Sequence, residues 1–208
     1  MKPKPYIVGI CGGSASGKTF LLKQLLSQLP QERVNLISQD NYYKQYEQQK
    51  KDEEGLVNFD HPESVDLDAF VRDVKTLIGG KPVSIQEYTF NNPASTARTL
   101  HYHPTDLLVL EGLFIFYHPE LYKLIDLKIF VDADEHIRLT RRLRRDHSER
   151  GYSFDSILRD YSRFVAPMYE QYVAPAKKVC DLIIPNNKHM YKAIQVLVNH
   201  LKMILEEK

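Results

Sequence analysis

Eight residues, Gly12 to Thr19, read Gly-Gly-Ser-Ala-Ser-Gly-Lys-Thr and follow directly on the apolar run Tyr6-Ile7-Val8-Gly9-Ile10-Cys11. They fill every defined position of the G-x-x-x-x-G-K-[ST] pattern, which constrains the fold because it works only between a strand and a helix. The glycines let backbone N–H groups turn inward around phosphate oxygens, Lys18 reaches the β and γ oxygens, and the Thr19 hydroxyl ligates Mg²⁺. Leu21, Leu22, Leu25, Leu26 and Leu29 recur at helical spacing over Thr19 to Leu29, so the loop is expected to open into a helix N-terminus whose dipole favours anions. An ordinary Gly/Ser-rich turn is the competing reading, and it leaves the flanking strand and helix unexplained. Gly12, Gly13, Ser14, Ala15, Ser16, Gly17, Lys18 and Thr19 are therefore the candidate residues for holding a nucleoside triphosphate.

Further apolar runs bounded by turn signals stand at Val34 to Ser38, Val83 to Ile85, Leu107 to Leu110, Leu127 to Val131 and Leu182 to Ile184. Helical periodicity fills most gaps, with Leu67, Phe70, Val71, Val74 and Leu77 on one face of Asp66 to Ile78 and Ile194, Leu197, Val198, Leu201 and Leu205 on one face of Tyr191 to Leu205. Short apolar strands alternating with helices predict an α/β fold, a P-loop NTPase-type parallel sheet flanked by helices, with ligands at the carboxyl ends of the strands. At 208 residues one domain suffices. Within it, Tyr42 to Asn58 reads as an exposed loop or short helix, 88–104 as a β-hairpin excursion beside the site, and 135–172 as an Arg-rich helical lid.

Phosphoryl transfer needs a phosphate cradle, a metal ligand, an oriented hydroxyl and mobile cations. Glu111 ends the run Leu107-Leu108-Val109-Leu110 and precedes Gly112, which places a carboxylate at a strand tip facing the loop metal; a solvated turn acid is the alternative. Asp40 follows Leu36-Ile37-Ser38-Gln39 and is positioned to accept the proton of an attacking alcohol, the alternative being an Asp-Asn turn. Arg138, Arg141, Arg142 and Arg145 follow i, i+3, i+4, i+7 spacing, with Arg144 among them and Arg150 just beyond. Along one helical face these guanidiniums suit bidentate capture of phosphate oxygens; a solvated basic face is the competing reading. Gly151 supplies a pivot for such a lid.

Lys+Arg (28) nearly equals Asp+Glu (27), so no bulk field draws the chain to nucleic acid or acidic membranes. Cys11 and Cys180 show neither metal nor redox spacing and read as buried thiols of a reducing compartment. The eight histidines show no paired-ligand spacing, so no protein-bound zinc is expected. With no apolar run of membrane-spanning length and no signal-like opening, a cytoplasmic protein is expected.

Taken in order, these segments resemble the uridine/cytidine kinases of the phosphoribulokinase and uridine kinase group. The likeness runs from Ile7 to about Pro185 and includes Ser38-Gln39-Asp40-Asn41-Tyr42-Tyr43-Lys44, Asn58-Phe59-Asp60-His61-Pro62-Glu63, Leu110-Glu111-Gly112 and Arg144-Arg145-Asp146 through Glu149-Arg150-Gly151. The resemblance implies ATP- or GTP-dependent, Mg²⁺-assisted phosphorylation of the 5′-hydroxyl of a pyrimidine ribonucleoside, with Asp40 as base. It also implies that Asp60 holds the ribose hydroxyls, Tyr88 and Phe90 line the base pocket, Arg142 contacts the nucleoside, and Arg145 and Arg150 face the phosphates. Such kinases are commonly tetramers.

Three positions depart from that family's pattern. Pro93 stands where a pyrimidine-reading histidine is expected, Tyr152 replaces the second arginine of Glu-Arg-Gly-Arg, and Asp160 replaces a glutamine before Tyr161. All three belong to nucleoside recognition, which keeps open a related P-loop kinase acting on another ribosyl compound or a sugar phosphate. A GTPase-type switch fits less well, because Asn187-Lys188-His189-Met190 stops short of the guanine-reading Asn-Lys-x-Asp and no apolar strand precedes Asp52-Glu53-Glu54-Gly55.

Overall fold

The computed structural model describes residues 4–89 and 96–208. Five strands, β1 (Tyr6–Cys11), β2 (Val34–Ser38), β5 (Leu107–Gly112), β6 (Leu127–Asp132) and β7 (Leu182–Pro185), form one parallel sheet in the order β2-β5-β1-β6-β7. The remaining two, β3 (Val83–Gln86) and β4 (Thr99–Tyr102), form an antiparallel hairpin. Helix α1 (Lys18–Leu26) leaves the phosphate loop, α2 (Leu67–Ile78) precedes the hairpin, and α3 (Pro119–Leu124) joins β5 to β6. Beyond β6 come α4 (Glu135–Arg150) and α5 (Phe154–Asp160). The latter continues through π-helical turns at Tyr161–Val165 and Tyr169–Val173 that flank the short α6 (Ala166–Met168); α7 (Tyr191–Glu206) closes the chain.

Strand parity divides the core. Ile7 and Cys11 of β1 and Leu108 and Leu110 of β5 join one cluster with Phe70, Val71, Val74 and Leu77 of α2, whereas Val8, Ile10, Leu107 and Val109 join a second with the leucines of α1 and the apolar face of α7. A sheet covered on both faces needs apolar residues at consecutive positions, which is why these strands read as unbroken runs. Gly9 is required by packing, since a Cβ there would press on Phe116 (2.8 Å) and Ile115 (3.1 Å).

Two expectations change. Val83 to Ile85 does not enter the parallel sheet: only Ile85 is buried in β3, and its polar neighbours Ser84 and Gln86 suit a two-stranded hairpin that covers one face alone. The helix expected through Leu29 ends at Leu26, although Leu29 stays buried, because Pro30 disfavours helical dihedrals at the residue before it. Asp66 caps α2 by accepting from Ala69 N (2.9 Å).

Candidate active site

The carboxyl ends of β1, β2 and β5 meet the phosphate loop, the hairpin and α4 around a cleft of about 1110 Å³. In the loop, Gly12, Ala15 and Gly17 adopt positive φ (153°, 60° and 106°), the alternation that turns successive N–H groups to one side. The glycines are also demanded from behind: a Cβ at Gly12 would overlap Val131 O, one at Gly13 would meet Arg138 Nη1 (2.8 Å), and one at Gly17 would overlap Asn186 Nδ2. Lys18 Nζ donates to Gly12 O (2.8 Å) and Gly13 O (3.3 Å) across the loop. Asn186, just beyond the tip of β7, donates Nδ2 to the buried Ser16 O (2.7 Å), while its own backbone carbonyl accepts from Arg141 Nη2 (2.9 Å).

In the parallel register Ser38 lies beside Glu111, and Glu111 beside Ile10. Parity turns Glu111, like Leu107 and Val109, to the sheet face that α1 covers, where Ser38 Oγ donates to Glu111 Oε1 (2.5 Å). Asp40 sits in the short 3₁₀ turn after β2, its N–H capped by Ser38 Oγ (3.2 Å). Burial in the cleft wall, reinforced by the Glu111 charge, pushes the Asp40 carboxyl up to about 7 against the opposing pull of Lys18, Arg150 and Arg145. Gln39 next to it is buried and accepts from Phe114 N (2.9 Å).

On the far wall stand Asp60, Tyr43, Phe59 and Tyr88, with the Tyr43 ring 5.3 Å from Tyr88 and 6.0 Å from Phe59. Asn41 Oδ1 accepts from Tyr88 N (3.1 Å) and so ties the hairpin arm to the end of β2. Phe90 and Pro93 lie outside the described residues. Tyr152 and Asp160 both line the cleft, and Asp160 also accepts from Arg159 Nε (3.2 Å).

The arginines divide. Arg142 Nη1 donates to Ser14 Oγ (3.0 Å) and stands 3.7 Å from Asp60 Oδ1; Arg141, Arg145 and Arg150 also line the cleft. Arg138 does not: it is 4% exposed, lies 3.6 Å over the Tyr169 ring and donates to Ala133 O (3.1 Å), supporting the back of the phosphate loop. Arg144 is exposed. Sequence reasoning assigned no role to Ser38, Asn186 or Asp146, whose only signal was a polar residue next to a strand tip or within the arginine run.

A parallel sheet with a phosphate loop after its central strand, an acid at the tip of the adjacent strand and a guanidinium cluster across the cleft define a P-loop kinase. The sequence profile of the phosphoribulokinase / uridine kinase family matches residues 7–191, and the chain belongs to that family. It is 36% identical over 207 residues to proteins named uridine kinase from Streptococcus gordonii and Streptococcus pneumoniae, covering 100% of this chain and 99% and 98% of those chains. Among solved structures, phosphoribulokinase from Rhodobacter spheroides superposes with a TM-score of 0.62 at 17% identity, over 88% of this chain and 70% of that one. D-glycerate 3-kinase from Cryptococcus neoformans gives 0.58 at 16% identity, over 80% and 78%, which extends the likeness of fold. No helix among the described residues is long and apolar enough to cross a membrane.

Proposed function

We propose that the chain phosphorylates the 5′-hydroxyl of uridine or cytidine with ATP or GTP as the Mg²⁺-bound donor. One observation carries the reading: Arg142 bridges the phosphate loop at Ser14 to Asp60 on the opposite wall, so donor and acceptor halves share one cleft that Asp40 also lines. The relatives are named uridine kinase over essentially their whole length, which favours a nucleoside over another ribosyl or sugar-phosphate acceptor.

The residues present fit a magnesium nucleotide. The loop's dihedrals, Lys18 and the four cleft arginines suit a polyphosphate, and the oxygen set of Thr19, Glu111 and Ser38 suits a hard cation. The nucleotide supplies the phosphoryl group and the cation offsets its charge. Asp40, titrating near neutrality, takes the hydroxyl proton, and its neighbours orient the alcohol. Asp60 accepts from the ribose hydroxyls, and Tyr88 packs on the base beside Tyr43. The lid arginines meet the donor phosphates. A homotetrameric cytoplasmic enzyme accompanies this reading, and sedimentation of the purified chain tests the assembly.

ADP release measured over a panel of nucleosides and sugar phosphates tests the activity. Uridine and cytidine should give saturable turnover. Turnover with a sugar phosphate and none with either nucleoside would refute the acceptor assignment.

A further inference from the structure

Asp146 has no part in the reaction proposed above, yet it is 3% exposed and is the one carboxylate among the described residues buried to that degree. A carboxylate so placed is stabilised only by close cations, and here there are three. Its Oδ1 accepts from Arg145 Nε (2.8 Å) and lies 3.3 Å from Arg150 Nη1, while Oδ2 lies 3.2 Å from Arg142 Nε. Helical spacing makes this possible, because Arg142 and Arg150 stand one turn before and one turn after it.

The atoms used matter. Arg142 and Arg145 approach Asp146 through Nε, the inner nitrogen, which leaves the terminal nitrogens for other partners; Arg142 spends Nη1 on Ser14 Oγ. The backbone of Asp146 also serves the lid, since its carbonyl accepts from the N–H groups of Gly151 and Tyr152 (3.1 Å), where Gly151 turns the chain at φ 73°. Burial and the neighbouring Arg145 hold the Arg150 guanidinium below its usual value, and Asp146 acts against both.

We propose that Asp146 is a positioning residue: it gathers Arg142, Arg145 and Arg150 into one fixed array, with Arg145 and Arg150 turned to the phosphates of the donor and Arg142 held toward Ser14 and Asp60. Without it, three like charges on one helical segment repel and scatter into rotamers that must be re-ordered at each binding event. The proposal rests on the donor reading above, through the assignment of Arg145 and Arg150 to phosphate.

Calorimetric titration with inorganic tripolyphosphate, and with MgATP, tests it without turnover, on the full chain and on Asp146→Asn, Asp146→Glu, Arg145→Ala and the Asp146→Asn/Arg145→Ala double variant. Asp146→Asn should weaken both ligands about tenfold or more, Asp146→Glu should restore part of that loss, and Arg145→Ala should cost much less when combined with Asp146→Asn than alone. Equal affinity in the parent and Asp146→Asn, or fully additive losses in the double variant, would overturn the proposal. If Asp146→Asn does not fold, the partial loss in Asp146→Glu decides between the outcomes: parent-like affinity there refutes the array. Normal tripolyphosphate binding with the expected losses, but no nucleoside turnover, would fail the acceptor reading and leave the array standing.

Discussion

Arg142 touches both halves of the cleft: its Nη1 donates to Ser14 in the phosphate loop at 3.0 Å and stands 3.7 Å from Asp60 on the acceptor wall. Its Nε lies 3.2 Å from Asp146 Oδ2 as well, so one planar group meets three partners from fixed directions, a geometry that a rotating ammonium on a flexible stem does not reproduce. Arg142→Lys is therefore expected to lower kcat/KM for uridine by about 10–100-fold while preserving the fold. Steady-state kinetics with each substrate varied in turn should place the loss in both KM values; a change confined to ATP would place Arg142 on the donor alone.

Asp40→Asn should leave ATP affinity nearly intact and reduce kcat by at least about a hundredfold, the scale of a lost general base that also positions the nucleophile. Rapid-quench measurement of the chemical step checks this. Turnover near that of the parent would remove Asp40 from the reaction.

The same substitution should make the metal-free protein more stable at neutral pH. The carboxyl titrates near 7 in the fold against an ordinary 3.8, so between these values the folded chain holds a proton that the unfolded chain has released, and stability falls as pH rises through that window. Asp40 is half-buried and lines the open cleft, which limits the gain from Asp40→Asn to about 1–2 kcal/mol, or roughly 4 °C in Tm. Thermal scans in EDTA should show the gain at pH 8 and none at pH 4; a gain independent of pH would point to some other cause.

Asn186→Ala removes the nearer of two side-chain donors to the buried Ser16 carbonyl, leaving Arg141 Nη1 at 3.4 Å. Losing the shorter hydrogen bond to a buried acceptor that keeps a longer one costs about 1 kcal/mol, and the loop it anchors carries the phosphate-facing amides. Tm should fall by roughly 2–4 °C and KM for ATP should rise. An unchanged ATP affinity would mean that the loop holds its shape without β7.

Cys11 should resist thiol reagents in the folded protein. Its Sγ donates to Leu113 O (3.1 Å), and burial pushes the thiol up to about 12, so almost no thiolate exists at pH 8. Mass spectrometry after iodoacetamide treatment should find Cys11 unmodified in native buffer and modified in denaturant.

Local pattern alone determined the strands of the parallel sheet, the face of α2 and the phosphate loop, because periodicity, glycine placement and the Lys-Thr pair act within one or two turns of chain. Asp40 and Glu111 were legible as acids ending apolar runs, and the hairpin arm was half legible, since Leu100-His101-Tyr102-His103 alternates while Val83 to Ile85 imitates a sheet strand. The tertiary structure alone decided which strand tips became neighbours. Ser38 finds Glu111 across 73 residues, and Asn186 reaches Ser16 across 170. It also decided which arginines face the cleft: Arg138 shares the helical face of Arg142 but is claimed by Tyr169, and Asp146 binds three others. Such choices depend on the order β2-β5-β1-β6-β7 and on what packs against each helix, and no window of sequence carries the free energy of a contact between segments so far apart.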